Sequence, residues 1–303
     1  MTDFTGRVAI VTGAGKGLGR THALALVARG AEVVVNNRRH PGERDAGTSA
    51  FRVAADIAAA GGHAKPHHAD VAHSDAGRSI VEAARAEFGR LDIVIANVAV
   101  PQAAQFHKLS ADDFRRIFDV AFFGTLHLLQ AAWPVMRAQG YGRVVTTTLS
   151  AGRSGNHGLS AYGAAKGAIE SLTRTLAAKG AHRNIRVNAI SPYARSRMTA
   201  DYLAHGIAER FAPEQVVPML LWLASEQCGA NGAVIIAGGG HFRLGYNVEP
   251  SGAPGEGTPM ADVYRAISDR PGRPYPSATA AFDSLLGDLG LAEKPVAAHT
   301  NRP

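Results

Sequence analysis

Arg7-Val8-Ala9-Ile10-Val11-Thr12-Gly13-Ala14-Gly15-Lys16-Gly17-Leu18-Gly19 is the stretch that decides how the rest of the chain is read. Arg7 to Thr12 is an apolar, β-branched run that predicts a buried strand, and Leu18 to Val27 has the apolar spacing of a helix following it. The turn between them is glycine-rich. Gly13 permits a tight exit from the strand, Gly17 lets a diphosphate reach the backbone, and Gly19 lets the helix lie close on the sheet. The first turn of that helix offers unpaired N–H groups to an anion. A glycine pattern alone is equally an ordinary surface loop. Here it stands between strand and helix, and a second strand follows, Glu32-Val33-Val34-Val35-Asn36. That context predicts a dinucleotide site.

Working outward, strand-like and helix-like runs alternate, as in an α/β fold. The expectation is a Rossmann-type, doubly wound parallel sheet of seven strands in a three-layer αβα arrangement. After the first two strands, further ones are expected at Ala64–Asp70, Leu91–Ala96, Arg143–Thr148, Ile185–Ile190 and Ala233–Ala237. Helices are expected over Ala46–Ala60, Ser74–Phe88 and Ser160–Lys179, with a long one from Ser110. Ser110 and Asp113 form an approximate capping box, and Pro134 is expected to kink or restart that long helix. From Tyr246 the composition turns to Pro and Gly. Residues 1–245 therefore read as the nucleotide-binding and catalytic domain. Residues 246–303 read as an extension carrying short helices at Met260–Asp269 and Ala278–Leu289, too short for a second core.

The chain of 303 residues carries a formal net charge of +7, which suits acidic ligands. Its basic residues are dispersed, so phosphorylated cofactors are the expected partners and nucleic acid is not. No apolar run is long enough to span a membrane, and the chain starts on a strand lead-in rather than a signal peptide. A single cysteine, Cys228, excludes an internal disulfide framework and fits a reducing compartment, so a cytoplasmic location is expected. His63, His67, His68 and His73 lie around a strand end without carboxylate or cysteine spacing, so no metal site is expected.

Tyr162-Gly163-Ala164-Ala165-Lys166 places a phenol and an ammonium one helical turn apart, on one face. An ammonium near a phenol favours the phenolate and lowers its pKa toward working pH. Such a tyrosine can give a proton to a carbonyl or take one from an alcohol during hydride transfer, while the lysine holds ribose hydroxyls.

The order T-G-x-x-x-G-x-G and these later motifs resemble the classical short-chain dehydrogenase/reductases. Gly142-Arg143-Val144-Val145, Asn156-His157-Gly158, Asn184-Ile185-Arg186-Val187-Asn188-Ala189-Ile190-Ser191-Pro192, Ser196-Arg197-Met198-Thr199 and Leu221-Trp222-Leu223 narrow the likeness. Over about residues 5–245 the chain is similar to the (3R)-hydroxyacyl-CoA dehydrogenase domain of peroxisomal multifunctional enzyme type 2, also called 17β-hydroxysteroid dehydrogenase type 4, and to its free-standing bacterial relatives. The resemblance implies an oxidoreductase that interconverts a ketone and a secondary alcohol on a bulky apolar substrate. A 3-hydroxyacyl-CoA or 3-ketoacyl-CoA, or a steroid-like compound, is implied.

The pattern breaks at the catalytic serine, whose position holds Leu149, with Ser150 beside it. The asparagine usual on the long helix is replaced by Ala121, and the N-N-A-G turn after the fourth strand is Ala96-Asn97-Val98-Ala99. Three readings stay open. Ser150, Thr148 or a water supplies the missing donor; the substrate needs less polarisation; or the chain is a regulatory or scaffold protein that binds nucleotide without efficient turnover.

The catalytic set carried over is thus Tyr162, Lys166 and Ser150. The nucleotide set is Gly13, Lys16, Gly17, Leu18, Gly19, Asn37, Arg38, Asp70, Val71 and Asn97, together with Tyr162 and Lys166. Asn37 stands where NAD-preferring relatives carry an acid, and Arg38, Arg39 and Lys16 can meet a 2′-phosphate. NADP(H) is therefore expected, with NAD(H) as the alternative. Arg195 and Arg197 follow the sixth strand, where a substrate carboxylate or CoA phosphate would lie. The family also implies a homodimer or homotetramer, with Phe114, Ile117, Phe118 and Phe122 on one helix and Ile169, Leu172 and Leu176 on another as candidate contacts.

Overall fold

The computed structural model describes residues 2–100, 103–195 and 208–291. The chain divides into two compact units, Met1–Leu244 and Gly245–Pro303.

The first unit is built on β1 (Val8–Thr12), β2 (Glu32–Asn36), β3 (Ala64–His67), β4 (Ile93–Ala96), β5 (Gly142–Thr147), β6 (Ile185–Pro192), β7 (Val234–Gly238) and β8 (His241–Gly245). They form one sheet in the order β3-β2-β1-β4-β5-β6-β7-β8. The pairings from β3 across to β7 are all parallel. The reversal of strand order between β1 and β4 opens the crevice in which such folds place ligands.

The strands read as unbroken apolar runs because both of their faces are covered. Val8 and Ile10 point to one face and join Ile80 and Val81 of α3 (Ala76–Phe88), Leu128 and Met136 of α5 (Gly124–Gln139), and Ala177 of α7 (Ser160–Gly180). Ala9 and Val11 point to the other face, with Ala23 and Leu26 of α1 (Gly17–Val27), Val53 and Ile57 of α2 (Ser49–Ala59), and Leu220 and Leu223 of α8 (Val217–Ala224). Alternate residues of one strand thus serve two separate cores.

Three expectations need correcting. The sheet has eight strands, not seven. Gly239 and Gly240 take φ values of +57° and +74° and turn the chain back after β7. A two-residue turn with both φ positive matches strand twist, so β8 returns antiparallel. Second, Pro134 begins no new segment: it lies inside α5, and the long helix is interrupted earlier. Its first part, α4 (Ala111–Phe118), ends in a π-helical turn at Asp119–Phe123. Third, Ile117 and Ile169 are buried within this chain, and Phe114, Phe118 and Phe122 pack around Ile117, Ala121, Ala161 and Tyr162. These side chains form an internal α4–α7 core, so Ile117 and Ile169 offer no surface to a partner.

The second unit holds a short antiparallel bridge between β9 (Val248–Glu249) and β10 (Arg273–Pro274), then α9 (Met260–Ser268) and α10 (Ala278–Asp288). Its contacts are polar: Asp288 accepts from the Gly252 N–H at 2.8 Å, and the Tyr275 and Ser284 hydroxyls lie 2.8 Å apart.

Candidate active site

The nucleotide end is set by backbone packing. A Cβ at Gly19 would stand 2.3 Å from the Gly13 carbonyl oxygen, so only glycine lets α1 lie this close on the exit of β1. Gly17, at the start of α1, has φ +55° and open space where a Cβ would be. That opening, beside the free N–H groups of a helix N-terminus, fits a diphosphate. Leu18 packs into the core below, and Lys16 is exposed at the mouth. Asn97 ties β4 to β1, its N–H donating to Thr12 Oγ1 at 3.1 Å and its Nδ2 to the Thr12 carbonyl at 3.3 Å.

At the end of β2, Asn37 Nδ2 donates to Ser49 Oγ at 2.9 Å. Arg38 is half exposed, with its guanidinium 3.5 Å from the Asp70 carboxylate. Arg39 is engaged by Asp45. A cavity of about 320 Å³ opens beside Gly15 and is bordered by Arg20, Ser49 and Arg52. Val71 is only 5% exposed and packs in the core against α3 and α5.

Tyr162 and Lys166 lie on α7, 6% and 1% exposed. Lys166 Nζ donates to the Thr147 carbonyl at the end of β5 (2.8 Å) and stands 5.6 Å from the centre of the Tyr162 ring. The expected lowering of the phenol's pKa is not what these groups produce. Burial pushes Tyr162 up to about 12 and Lys166 down to about 8. Desolvation disfavours both charged forms.

The segment before α7 is seated on it without intervening side chains. Leu149 leads into α6 (Ser150–Ser154). A Cβ at Gly152 would lie 2.6 Å from the Gly167 nitrogen, and one at Gly167 would lie 2.8 Å from the Gly152 carbonyl. Two polar ties hold this contact. Thr148 Oγ1 lies 3.0 Å from the Lys166 carbonyl and 3.1 Å from Glu170 Oε1, its one O–H proton shared between these two acceptors. Arg153 reaches the same buried carboxylate at 2.9 Å, and Arg174 reaches its other oxygen at 3.3 Å.

This seating separates Leu149 from the two hydroxyls, Thr148 and Ser150, that were named to replace the missing donor. Leu149 packs on the cluster containing Ala121, Ala161 and Tyr162. The Thr148 hydroxyl is already committed to α7. Ser150, one residue on, meets the Tyr193 hydroxyl at 2.5 Å. Gly152, Arg153, Glu170 and Tyr193 were not singled out from the sequence. The nearest signal was the density of small residues between 151 and 167.

An open cleft of about 480 Å³ is bordered by Phe106 and His107 from one loop and by Asn156, His157 and Ser160 from the chain entering α7. The two loops are joined by a bond from the Ala104 N–H to the Gly158 carbonyl at 2.9 Å. Arg195 is exposed, its N–H bonded to the Phe211 carbonyl at 2.6 Å. Arg197 lies outside the described residues. The histidines around β3 make local contacts, His67 with Ser79 at 3.2 Å. Among the described residues no group of three or more His, Cys, Asp or Glu side chains could hold a metal ion, and no helix is long and apolar enough to cross a membrane.

The buried lysine makes stability depend on pH. Its pKa falls from an ordinary 10.5 to about 8 on folding. Between those values the unfolded chain binds a proton that the folded chain does not, so stability rises with pH. Above about pH 10 the raised phenol of Tyr162 acts in the opposite sense. Urea unfolding should therefore show stability growing by roughly 2 kcal/mol from pH 8 to 10, at about 1.4 kcal/mol per unit. Lys166→Met should flatten that rise, and an unchanged slope would place the proton uptake elsewhere.

Comparison with known proteins gives this geometry a family. The pattern of the short chain dehydrogenases matches residues 7–205. A protein of Mycobacterium tuberculosis, named as a short-chain type dehydrogenase/reductase, is 42% identical over 244 residues, covering 79% of this chain and 85% of its own. Mouse peroxisomal multifunctional enzyme type 2 is 40% identical over 239 residues, covering 78% of this chain and 32% of that enzyme. The solved structure of full-length peroxisomal multifunctional enzyme type 2 from Drosophila melanogaster superimposes with a TM-score of 0.79 at 30% identity, over 95% of this chain and 50% of that one. This chain therefore spans half or less of those two multifunctional enzymes. Its motifs, its sheet and these relatives agree: the chain is an enzyme of the short-chain dehydrogenase/reductase family, whose members use a nicotinamide dinucleotide.

Proposed function

We propose that this enzyme uses NADP(H) to interconvert a ketone and a secondary alcohol on a bulky apolar substrate, a 3-ketoacyl-CoA or 3-hydroxyacyl-CoA or a steroid-like compound. One observation carries the reading: Tyr162 and Lys166 are buried one turn apart on α7, at the carboxyl end of β5, and the start of that helix borders an open cleft. When bound, the dinucleotide supplies or accepts the hydride at the substrate carbon. Tyr162 handles the proton. With its pKa near 12 it is a neutral phenol at pH 7, the right form to donate to a carbonyl oxygen as negative charge builds there. Lys166 holds ribose hydroxyls and keeps a positive charge close enough to ease formation of the phenolate that remains.

The cleft's size lies within the ordinary small-molecule range. Exposed Phe106 at its edge suits an apolar chain or ring system. The preference for NADP(H) is supported by Asn37 in place of an acid, by the loosely held Arg38, and by exposed Lys16 at the start of α1. A cytoplasmic setting is supported by the free, buried Cys228. A homodimer or homotetramer belongs to the same reading, supported by exposed Phe123 beside half-buried Phe118 and Phe122. Packing of Leu149 against the Tyr162 cluster favours a second reading, a nucleotide-binding regulatory or scaffold protein.

Two measurements test this proposal. Fluorescence titration should show NADPH bound more tightly than NADH. Arg38→Ala should shrink that gap by about tenfold, the worth of one exposed charge-assisted hydrogen bond, while leaving NADH affinity unchanged. Equal affinities in the unaltered enzyme would remove the assignment.

The second is turnover. Tyr162→Phe keeps the ring and should cut kcat for an accepted ketone by at least about a hundredfold, with nucleotide still bound. Full activity in that variant would exclude Tyr162 as the acid. Nucleotide binding without turnover across acyl-CoA, steroid and small-ketone panels would decide for the scaffold reading.

A further inference from the structure

The hydroxyl that position 149 lacks is supplied, we infer, by a coupled pair: Ser150 donates to the substrate oxygen, and Tyr193 holds and polarises Ser150. This rests on the carbonyl–alcohol reading above and adds a residue that no motif of the sequence marks.

The pair is built by two strand exits. Ser150 opens α6, directly after Leu149, two residues beyond the end of β5. Tyr193 follows the last residue of β6, which lies next to β5 in the sheet. Its backbone is fixed by a 2.7 Å bond from the Tyr193 N–H to the Ala237 carbonyl. Gly238 makes room for it, since a Cβ there would stand 2.7 Å from the Tyr193 Cβ. The two hydroxyls are thereby brought to 2.5 Å, the short end of the O–H···O range.

Two hydroxyls carry two protons, and the bond between them uses one. The phenol is much the stronger acid, so Tyr193 donates and Ser150 accepts. The Ser150 O–H is then the proton left over. Among the described residues neither hydroxyl has a second partner. A hydroxyl that already accepts a hydrogen bond is a stronger donor, because the two bonds polarise each other. The other nearby hydroxyl, on Thr148, is bonded to α7 and lies under 2% exposed. Ser150 is one residue from the side chain that packs on Tyr162, and it is the accessible hydroxyl nearest to it in sequence. Ser150 is thus the catalytic residue of the pair and Tyr193 the positioning residue.

A double-mutant cycle on ketone reduction tests the coupling. Ser150→Ala should lower kcat by roughly a hundredfold, the usual worth of one such donor. Ser150→Thr, which keeps a hydroxyl, should retain most of the rate. Tyr193→Phe keeps an exposed ring and removes only the O–H. It should lower kcat by about tenfold with nucleotide affinity and thermal midpoint unchanged. Because Tyr193 acts through Ser150, the double variant should be no slower than Ser150→Ala alone. A Tyr193→Phe enzyme as fast as the original, or a double variant whose loss is the product of the two single losses, would overturn the pair. Either result, with Tyr162→Phe still inactivating, leaves the carbonyl–alcohol reading standing. An unaltered enzyme that turns over no ketone would overturn both.

Discussion

The backbone contact between α6 and α7 is the constraint on which the active centre depends. Gly152 and Gly167 meet with no side chain between them. That closeness brings the chain leaving β5 down onto the helix that carries Tyr162 and Lys166. Thr148 and Arg153 then fasten the two segments to one buried carboxylate, Glu170. A methyl group at either glycine would have to displace backbone atoms, which interiors packed at crystal-like density resist. The position of residues 149 and 150 relative to the phenol is therefore a consequence of packing, settled before any ligand arrives.

The same dryness sets the protonation states. Lys166 is buried with one hydrogen bond to the end of β5, and Tyr162 is nearly as deep. In a wet site both groups would titrate near their ordinary values. Here both are driven toward neutrality, at a cost in stability over the pH range where the lysine must charge. Such a site is poised for substrate and nucleotide charges to be felt strongly, because little water screens them.

The fold was legible because its strands are covered on both faces and its glycine turn sits between strand and helix. Both features leave strong local patterns. Three features escaped for definable reasons. Strand β8 is exposed along nearly its whole length, so it carries no buried apolar run, and only the Gly238-Gly239-Gly240 punctuation marked it. The π turn at Asp119–Phe123 keeps the apolar pattern of an α-helix and was hidden by it. Tyr193 follows an ordinary strand and acquires a role only through Ser150, 43 residues away in sequence. The direction of the Tyr162 shift was misjudged because sequence shows the neighbouring ammonium and cannot show the depth of burial.

A structure of the enzyme with NADP(H) and an unreactive analogue of an accepted ketone addresses the central claim most directly. The account predicts the substrate oxygen within about 3 Å of both Tyr162 Oη and Ser150 Oγ, as hydrogen-bond geometry requires. Ser150 should still be bonded to Tyr193, and Leu149 should lie against the Tyr162 ring. An oxygen held by Thr148, or by Tyr162 with Ser150 turned away, would contradict it.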